Sequence, residues 1–167
     1  MAYSKLLTTL LFSLVSVNTL ADGFTCRSIS GTIQPLVLDG NCIILQSQTN
    51  HFPDLTFLAS LGIANSCFTA QLQGTWGPLA FSGTAFSGLT ANSVGQLTAA
   101  SRIQTNIGGS LYTTDVVFNS QDPTQTNELL SFVSGSRLFK GSHGNMTITG
   151  NALVMATTFS GTLCSEN

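Results

Sequence analysis

Short windows of alternating apolar and polar residues run through most of the chain. In residues 67–74 apolar side chains alternate with Thr and Gln. In residues 152–163 one face carries larger apolar side chains, namely Leu153, Met155, Phe159 and Leu163. No window shows a convincing helical period, and a period of two is typical of a strand with one packed side. The pattern therefore predicts an all-β protein.

We predict eight strands, at about residues 25–38, 67–76, 79–90, 94–105, 110–118, 128–134, 144–149 and 152–163. The connections are short and carry Gly, Pro or Asn, so successive strands are expected to be antiparallel neighbours. A meander with one buried face leaves two exposed edges, and closure into a barrel removes both. The expected fold is a single eight-stranded antiparallel barrel.

Residues 41–66 fall outside this meander. They contain His51 and the apolar run Leu55–Ile63, and we expect an excursion over one end of the barrel with a helical turn. The tripeptide Ser-Gly-Thr recurs inside predicted strands, at 30–32, 82–84 and 160–162. Glycine there suits strongly bent barrel strands, although chance repetition in a chain rich in Ser, Gly and Thr is the alternative.

The N-terminal residues 1–21 resemble a secretory signal peptide. Lys5 precedes the apolar stretch Leu6–Val17, and Thr19-Leu20-Ala21 fits a cleavage site before Asp22. A buried first helix is the alternative, but no capping residue supports it. Residues 22–167 then form one domain, which we expect to be secreted or periplasmic.

Composition narrows the possible partners. Only 7% of residues are charged while 43% are hydrophobic, which suits a neutral β-rich secreted surface and argues against disorder. The formal net charge is -2 without a basic patch, so no nucleic-acid partner is expected. Beyond residue 21 no apolar run approaches the roughly 20 residues that cross a bilayer. We do not expect a membrane-spanning protein, and the sequence does not indicate an oligomeric state.

Four cysteines follow the predicted signal peptide. In an oxidising compartment they favour disulfides over metal ligands, because no Cys-x-x-Cys pair occurs and neither histidine lies near a cysteine in the sequence. Closure of an even-stranded meander places Cys26 near Cys164. Cys42 and Cys67 bracket the excursion and should pair at its base, provided that Cys42 belongs to the excursion and not to an extra strand.

The segment from Gln104 to Cys164 resembles the small secreted bacterial proteins of the allene oxide cyclase-like barrel group, which are related to plant dirigent proteins. That group has a Thr-x-Asp strand, then Gly-x-Gly-x-Phe-x-Gly-Ala-x-Gly and a closing Gly-x-x-Cys. The matching residues are Thr113-Thr114-Asp115, Gly135, Phe139, Gly141, Gly144, Gly150 and Gly161 to Cys164. Ser136-Arg137 and Ser142-His143 depart from the pattern. The resemblance implies a calycin-like barrel, and most of its bacterial members have no assigned activity.

Candidate chemistry is sparse. There is no Gly-x-Ser-x-Gly elbow or His-Glu-x-x-His motif, and nothing implies a metal or a cofactor. His143 is interpreted as a turn residue. Asp115 lies mid-strand on the face opposite Tyr112 and Phe118. If it points inward, its pKa is raised and it is a base or a polar anchor; if it points outward, which we favour, it is a surface charge. Tyr112, Asp115 and Phe118 are the candidates to line a ligand cavity, while core packing is the alternative for the aromatics.

Three functions remain open. The first is non-catalytic binding of a small apolar molecule in the barrel. The second, implied by the resemblance, is an isomerase or cyclase that acts mainly by shape. Such an enzyme needs few catalytic residues, which suits the missing motifs, but an enzyme is the less favoured class. The third is a structural or interaction module of the envelope. An apolar cavity favours the first, a cavity with buried polar groups such as Asp115 the second, and a filled core the third.

Overall fold

A computed structural model describes residues 23–46, 67–91, 96–118, 127–152 and 154–167. The predicted signal peptide, His51 and Leu55–Ile63 lie outside these ranges. Within them the chain forms strands β1 Phe24–Ile33, β2 Val37–Leu38, β3 Cys67–Trp76, β4 Leu79–Ala91, β5 Leu97–Thr105, β6 Gly109–Phe118, β7 Asn127–Gly135, β8 His143–Thr149 and β9 Thr157–Glu166. Two short 3-10 turns, Ile43–Gln46 and Arg137–Phe139, complete the described elements.

Antiparallel pairing closes the sheet into a ring. The strand order is β1-β9-β8-β7-β6-β5-β4-β3, and β1 also pairs with β3 through Ile29↔Trp76 to Ile33↔Leu72. The two-residue β2 lies outside this ring and pairs with the start of β3. The prediction of an eight-stranded antiparallel barrel is confirmed.

The first and the last strand differ most from the predicted ones. The first predicted strand, 25–38, breaks after Ile33, because Pro35 has no backbone N–H and the N–H of Leu36 donates to the carbonyl of Ala152 at 2.7 Å. The last strand begins at Thr157, not at 152, and continues to Glu166. Met155 was placed on its packed face but lies before it and is 49% exposed.

Large side chains fill one half of the barrel interior. The 3-10 turn between β7 and β8 carries Phe139, which is 0% exposed. Its ring lies 5.4 Å from that of Trp76, whose indole N–H donates to the carbonyl of Leu163 at 3.1 Å. Phe81 and Phe159 pack in the same cluster, with ring centroids 6.4 Å apart. The sequence left open whether the aromatic residues pack in the core or line a cavity. These four pack in the core.

Glycines let a ring lie against the barrel wall. Gly31 and Gly74 are opposite one another on β1 and β3. A Cβ at Gly31 would lie 2.7 Å from Cζ of Phe159, and one at Gly74 would lie 2.9 Å from the same atom. The glycines of all three Ser-Gly-Thr repeats lie inside strands, as predicted, and neighbouring backbone leaves none of them room for a side chain.

Both predicted disulfides are present. Cys26 and Cys164 are direct partners on β1 and β9, and Cys42 bonds to Cys67 at the start of β3. Cys42 belongs to no strand, so the condition for the second pairing holds.

The described part of the excursion lies against the outer face of the barrel. Its 3-10 turn, Ile43–Gln46, agrees with the predicted helical turn. Ile44 is 0% exposed and packs with Cys67, Ala100 and Tyr112. The expected position over one end is therefore wrong for residues 41–46. The side chain of Ile44 and the Cys42–Cys67 disulfide hold this segment on the wall, and residues 47–66 lie outside the described ranges.

Candidate functional site

The half of the barrel away from Phe139 contains a cavity of about 150 Å³ that is partly open to solvent. Small side chains on the inward faces of β3, β4 and β5 leave this space, namely Ala70, Ala85, Ser87, Ala99 and Ser101. Larger apolar side chains complete the wall, among them Leu72, Leu89, Leu97, Ile103, Val117, Leu130, Met146 and Ile148. The interior is therefore filled at one end and hollow at the other.

A row of polar side chains crosses this apolar wall. The hydroxyls of Ser87 on β4 and Ser101 on β5 are 2.8 Å apart, and Ser101 donates to Oδ2 of Asp115 on β6 at 2.6 Å. Because the Ser101 proton points to Asp115, Ser101 accepts the hydrogen bond from Ser87. Asp115 is 2% exposed, and its Oδ1 has no hydrogen-bond partner. The row of hydrogen bonds thus ends inside the barrel at Oδ1 of Asp115, which accepts no hydrogen bond.

Glu128 adds a second carboxyl beside Asp115. Asp115 is opposite Leu130 in the β6–β7 register, so Glu128, two residues earlier, is its diagonal neighbour on the same face. Diagonal neighbours lie about 7–8 Å apart at their Cα atoms, within reach of long side chains. Both carboxyls line the cavity.

Burial changes the acidity of both groups. Loss of hydration raises the pKa of Asp115 to about 7, against a smaller lowering by the nearby Ser101 and Thr113 hydroxyls. Loss of hydration, and then the charge of Asp115, raise the pKa of Glu128 to about 8. Two neighbouring carboxyls in an apolar site cannot both ionise easily, so near neutral pH the pair holds at least part of one proton.

The three sequence-predicted cavity residues do not lie together. Asp115 points inward and lines the cavity, so the favoured outward orientation is wrong. Tyr112 and Phe118 lie on the opposite face of β6 and do not line it. Tyr112 is buried against Ala100 and Ile44 on the outer wall, and Phe118 is 44% exposed. The alternation along one strand put them opposite Asp115, and the inward orientation of Asp115 excludes them from the cavity.

Sequence reasoning missed Glu128, Ser87 and Ser101. Glu128 is the first residue of the predicted strand 128–134, and the alternation Glu128, Leu130, Phe132 places it on the inward face. Ser87 continues the inward row after Ala85, and Ser101 the row after Ala99. The period of two could have found all three once the inward face was known.

His143 is the first residue of β8 and not a turn residue. It stands opposite Cys164, and its ring packs edge-on against Phe24 at 4.8 Å. Although neither histidine lies near a cysteine in the sequence, the fold brings potential ligand atoms of Cys26, His143 and Cys164 within 4.8 Å of one another. The two sulfurs are joined in a disulfide, whereas a metal is bound by thiolate.

Comparison of the chain with protein-family models, with curated proteins and with solved structures gives no significant match. Among the residues that the structure describes, no helix is long and apolar enough to cross a membrane. The two disulfides are compatible with an extracellular or periplasmic location. The candidate site is therefore defined by its own geometry.

Proposed function

We propose that the hollow half of this barrel binds a small, mainly apolar molecule. The observation that carries the proposal is a cavity of about 150 Å³ beside the half of the barrel that contains the rings of Trp76, Phe139 and Phe159. Protein interiors are normally packed to crystal density, and unfilled space costs stability. A barrel serving only as a solid module has no need of this space.

The volume sets the size of the ligand. An apolar cavity of about 150 Å³ holds benzene, whereas drug-sized ligands occupy about 300–1,000 Å³. The site thus suits a single ring or a short branched chain. A longer hydrocarbon would have to extend through the mouth.

An isomerase or cyclase is the second candidate, and the Asp115–Glu128 pair is the observation that favours it. A general acid or base works best when its pKa lies near the working pH, and burial brings both carboxyls into that range. Binding is common to both candidates, which is why it comes first. Catalysis additionally requires that Asp115→Asn abolish turnover while the ligand still binds.

We further propose that the protein is secreted or periplasmic and belongs with the allene oxide cyclase-like barrels. The two disulfides support the first point. The closed ring of eight strands and the glycine pattern around Phe139 support the second.

The test is a titration with toluene, followed by the amide and methyl chemical shifts of the protein in NMR spectra. We expect saturable shifts for Ala85, Ala99 and Leu130. Ala99→Leu adds three heavy atoms to the cavity wall and so takes up space that toluene would occupy. Each CH₂ group of the ligand that can no longer be buried costs about 0.8 kcal/mol, and we therefore expect toluene to bind at least about tenfold more weakly. Gln104→Leu, an exposed change on the same strand, is the matched control.

Two results would overturn the proposal. One is the absence of saturable shifts in the native protein. The other is equal toluene affinity in native protein, Ala99→Leu and Gln104→Leu, which would place the binding elsewhere. Circular dichroism checks that each variant keeps its β-rich fold.

A further inference from the structure

We propose that the cavity selects ligands in which a protonated amino group is attached to a small apolar body, and rejects carboxylates of the same shape. This inference rests on the proposed binding function and names the ligand class. It follows from the charges, the hydrogen bonds and the walls of the cavity.

The charges inside the cavity are of one sign. Among the described residues that line it, Asp115 and Glu128 can carry charge, and none is Lys, Arg or His. Of the four described Lys and Arg side chains, Arg27 stacks on Trp76, Arg102 stacks on Phe86 and Lys140 pairs with Glu166 at 2.8 Å, while the fourth, Arg137, does not line the cavity. No described cation therefore balances the two carboxyls, and a bound ligand can do so.

The hydrogen bonds of Asp115 leave one place for a ligand. Oδ2 accepts from Ser101, while Oδ1 and the hydroxyl oxygen of the nearby Thr113 are both buried without a hydrogen-bond partner. A buried polar atom without a partner is costly, and a hydrogen bond from a charged donor is about twice as strong as a neutral one. An ammonium group donates a hydrogen bond to Oδ1 and also balances the negative charge of the carboxyls. An alcohol only donates the hydrogen bond, and toluene does neither.

The walls favour an organic cation over a metal ion. Ca²⁺ takes six to eight oxygen ligands and Mg²⁺ requires an octahedron of them. The lining offers two carboxyls, the amide of Asn151, and the Ser87 and Ser101 hydroxyls, which already bond to each other and to Asp115; the other lining residues are apolar. Leu130 and Ile148 suit the hydrocarbon body of an amine.

Four ligands that share one ring test this inference: toluene, benzyl alcohol, benzylamine and benzoate. Each is titrated at pH 8 and followed by NMR chemical shifts. We expect benzylamine to bind at least about tenfold tighter than toluene, equivalent to about 1.4 kcal/mol, with benzyl alcohol between them. Benzoate should bind more weakly than toluene because the carboxyls repel it.

Asp115→Asn keeps the volume of the side chain and removes its charge. We expect this variant to lose most of the preference for benzylamine while its toluene affinity stays within about twofold, and Glu128→Gln is a second variant should the first fail to fold. Glu166→Gln removes an exposed carboxyl outside the cavity and should keep the full preference.

The outcomes separate the inference from the function on which it rests. Toluene binding without a preference for benzylamine, or an equal preference in Asp115→Asn, overturns the amine selectivity and leaves the binding proposal standing. Failure of all four ligands to bind overturns both.

Discussion

At the scale of single residues, the most consequential feature is a carboxyl buried in an aliphatic wall. Asp115 is 2% exposed, and one hydrogen bond from Ser101 does not replace its hydration. Such an arrangement reduces stability at neutral pH and is typical of residues that act on a ligand.

The raised pKa of Asp115 predicts how stability depends on pH. An unfolded Asp has a pKa near 3.9, and burial raises the pKa of Asp115 to about 7. The folded state therefore holds the proton more tightly, so the stabilising contribution of the protonated group is complete below about pH 4 and is lost as the pH rises towards 7. Relative to Asp115→Asn, the native protein should lose on the order of 3 kcal/mol of unfolding free energy across this range.

Denaturant unfolding at a series of pH values measures this difference. Glu166→Gln, the exposed control, should follow the native curve over the same range. Parallel curves for the native protein and Asp115→Asn would show that the carboxyl has the same pKa in both states, contrary to its burial.

At the scale of elements, the two disulfides stabilise different loops. Cys26 and Cys164 are separated by 138 residues, Cys42 and Cys67 by 25. The chain-entropy model gives about 5 kcal/mol for the longer loop and about 3.5 kcal/mol for the shorter one. The longer link also joins the first strand of the ring to the last.

Replacing each cysteine pair by two alanines tests this difference. We expect loss of Cys26–Cys164 to lower the free energy of unfolding by about 1–2 kcal/mol more than loss of Cys42–Cys67, as measured by denaturant unfolding. A larger loss from the Cys42–Cys67 variant would mean that the segment held by Ile44 contributes more than the closure of the ring.

Elements were easier to predict than their orientation. The alternating pattern that starts at Cys67 predicted both ends of β3 correctly. The pattern is regular from its first residue, and turn residues follow Trp76. The same alternation in β6 showed that Asp115 and Tyr112 face opposite ways. Which of them faces the interior depends on pairing with β5 and β7, and that non-local register is absent from any single strand.

At the scale of the whole molecule, packing is divided between the two halves of the barrel. Phe139, Trp76 and Phe159 lie in one half, and each of the eight strands in the ring pairs with a neighbour on both sides. The other half is lined by smaller side chains and carries the polar row. The filled half can supply stability while the hollow half remains available for a ligand.

The most direct test of this division is the position of a bound apolar molecule, measured by intermolecular NOEs from toluene to protein methyl groups. We expect NOEs to Ala85, Ala99, Leu130 and Ile148, which line the cavity, and none to Leu163, which is 0% exposed in the filled half. NOEs to the exposed Val37 and Leu38 alone, or to no methyl group at saturation, would contradict a ligand site inside the barrel.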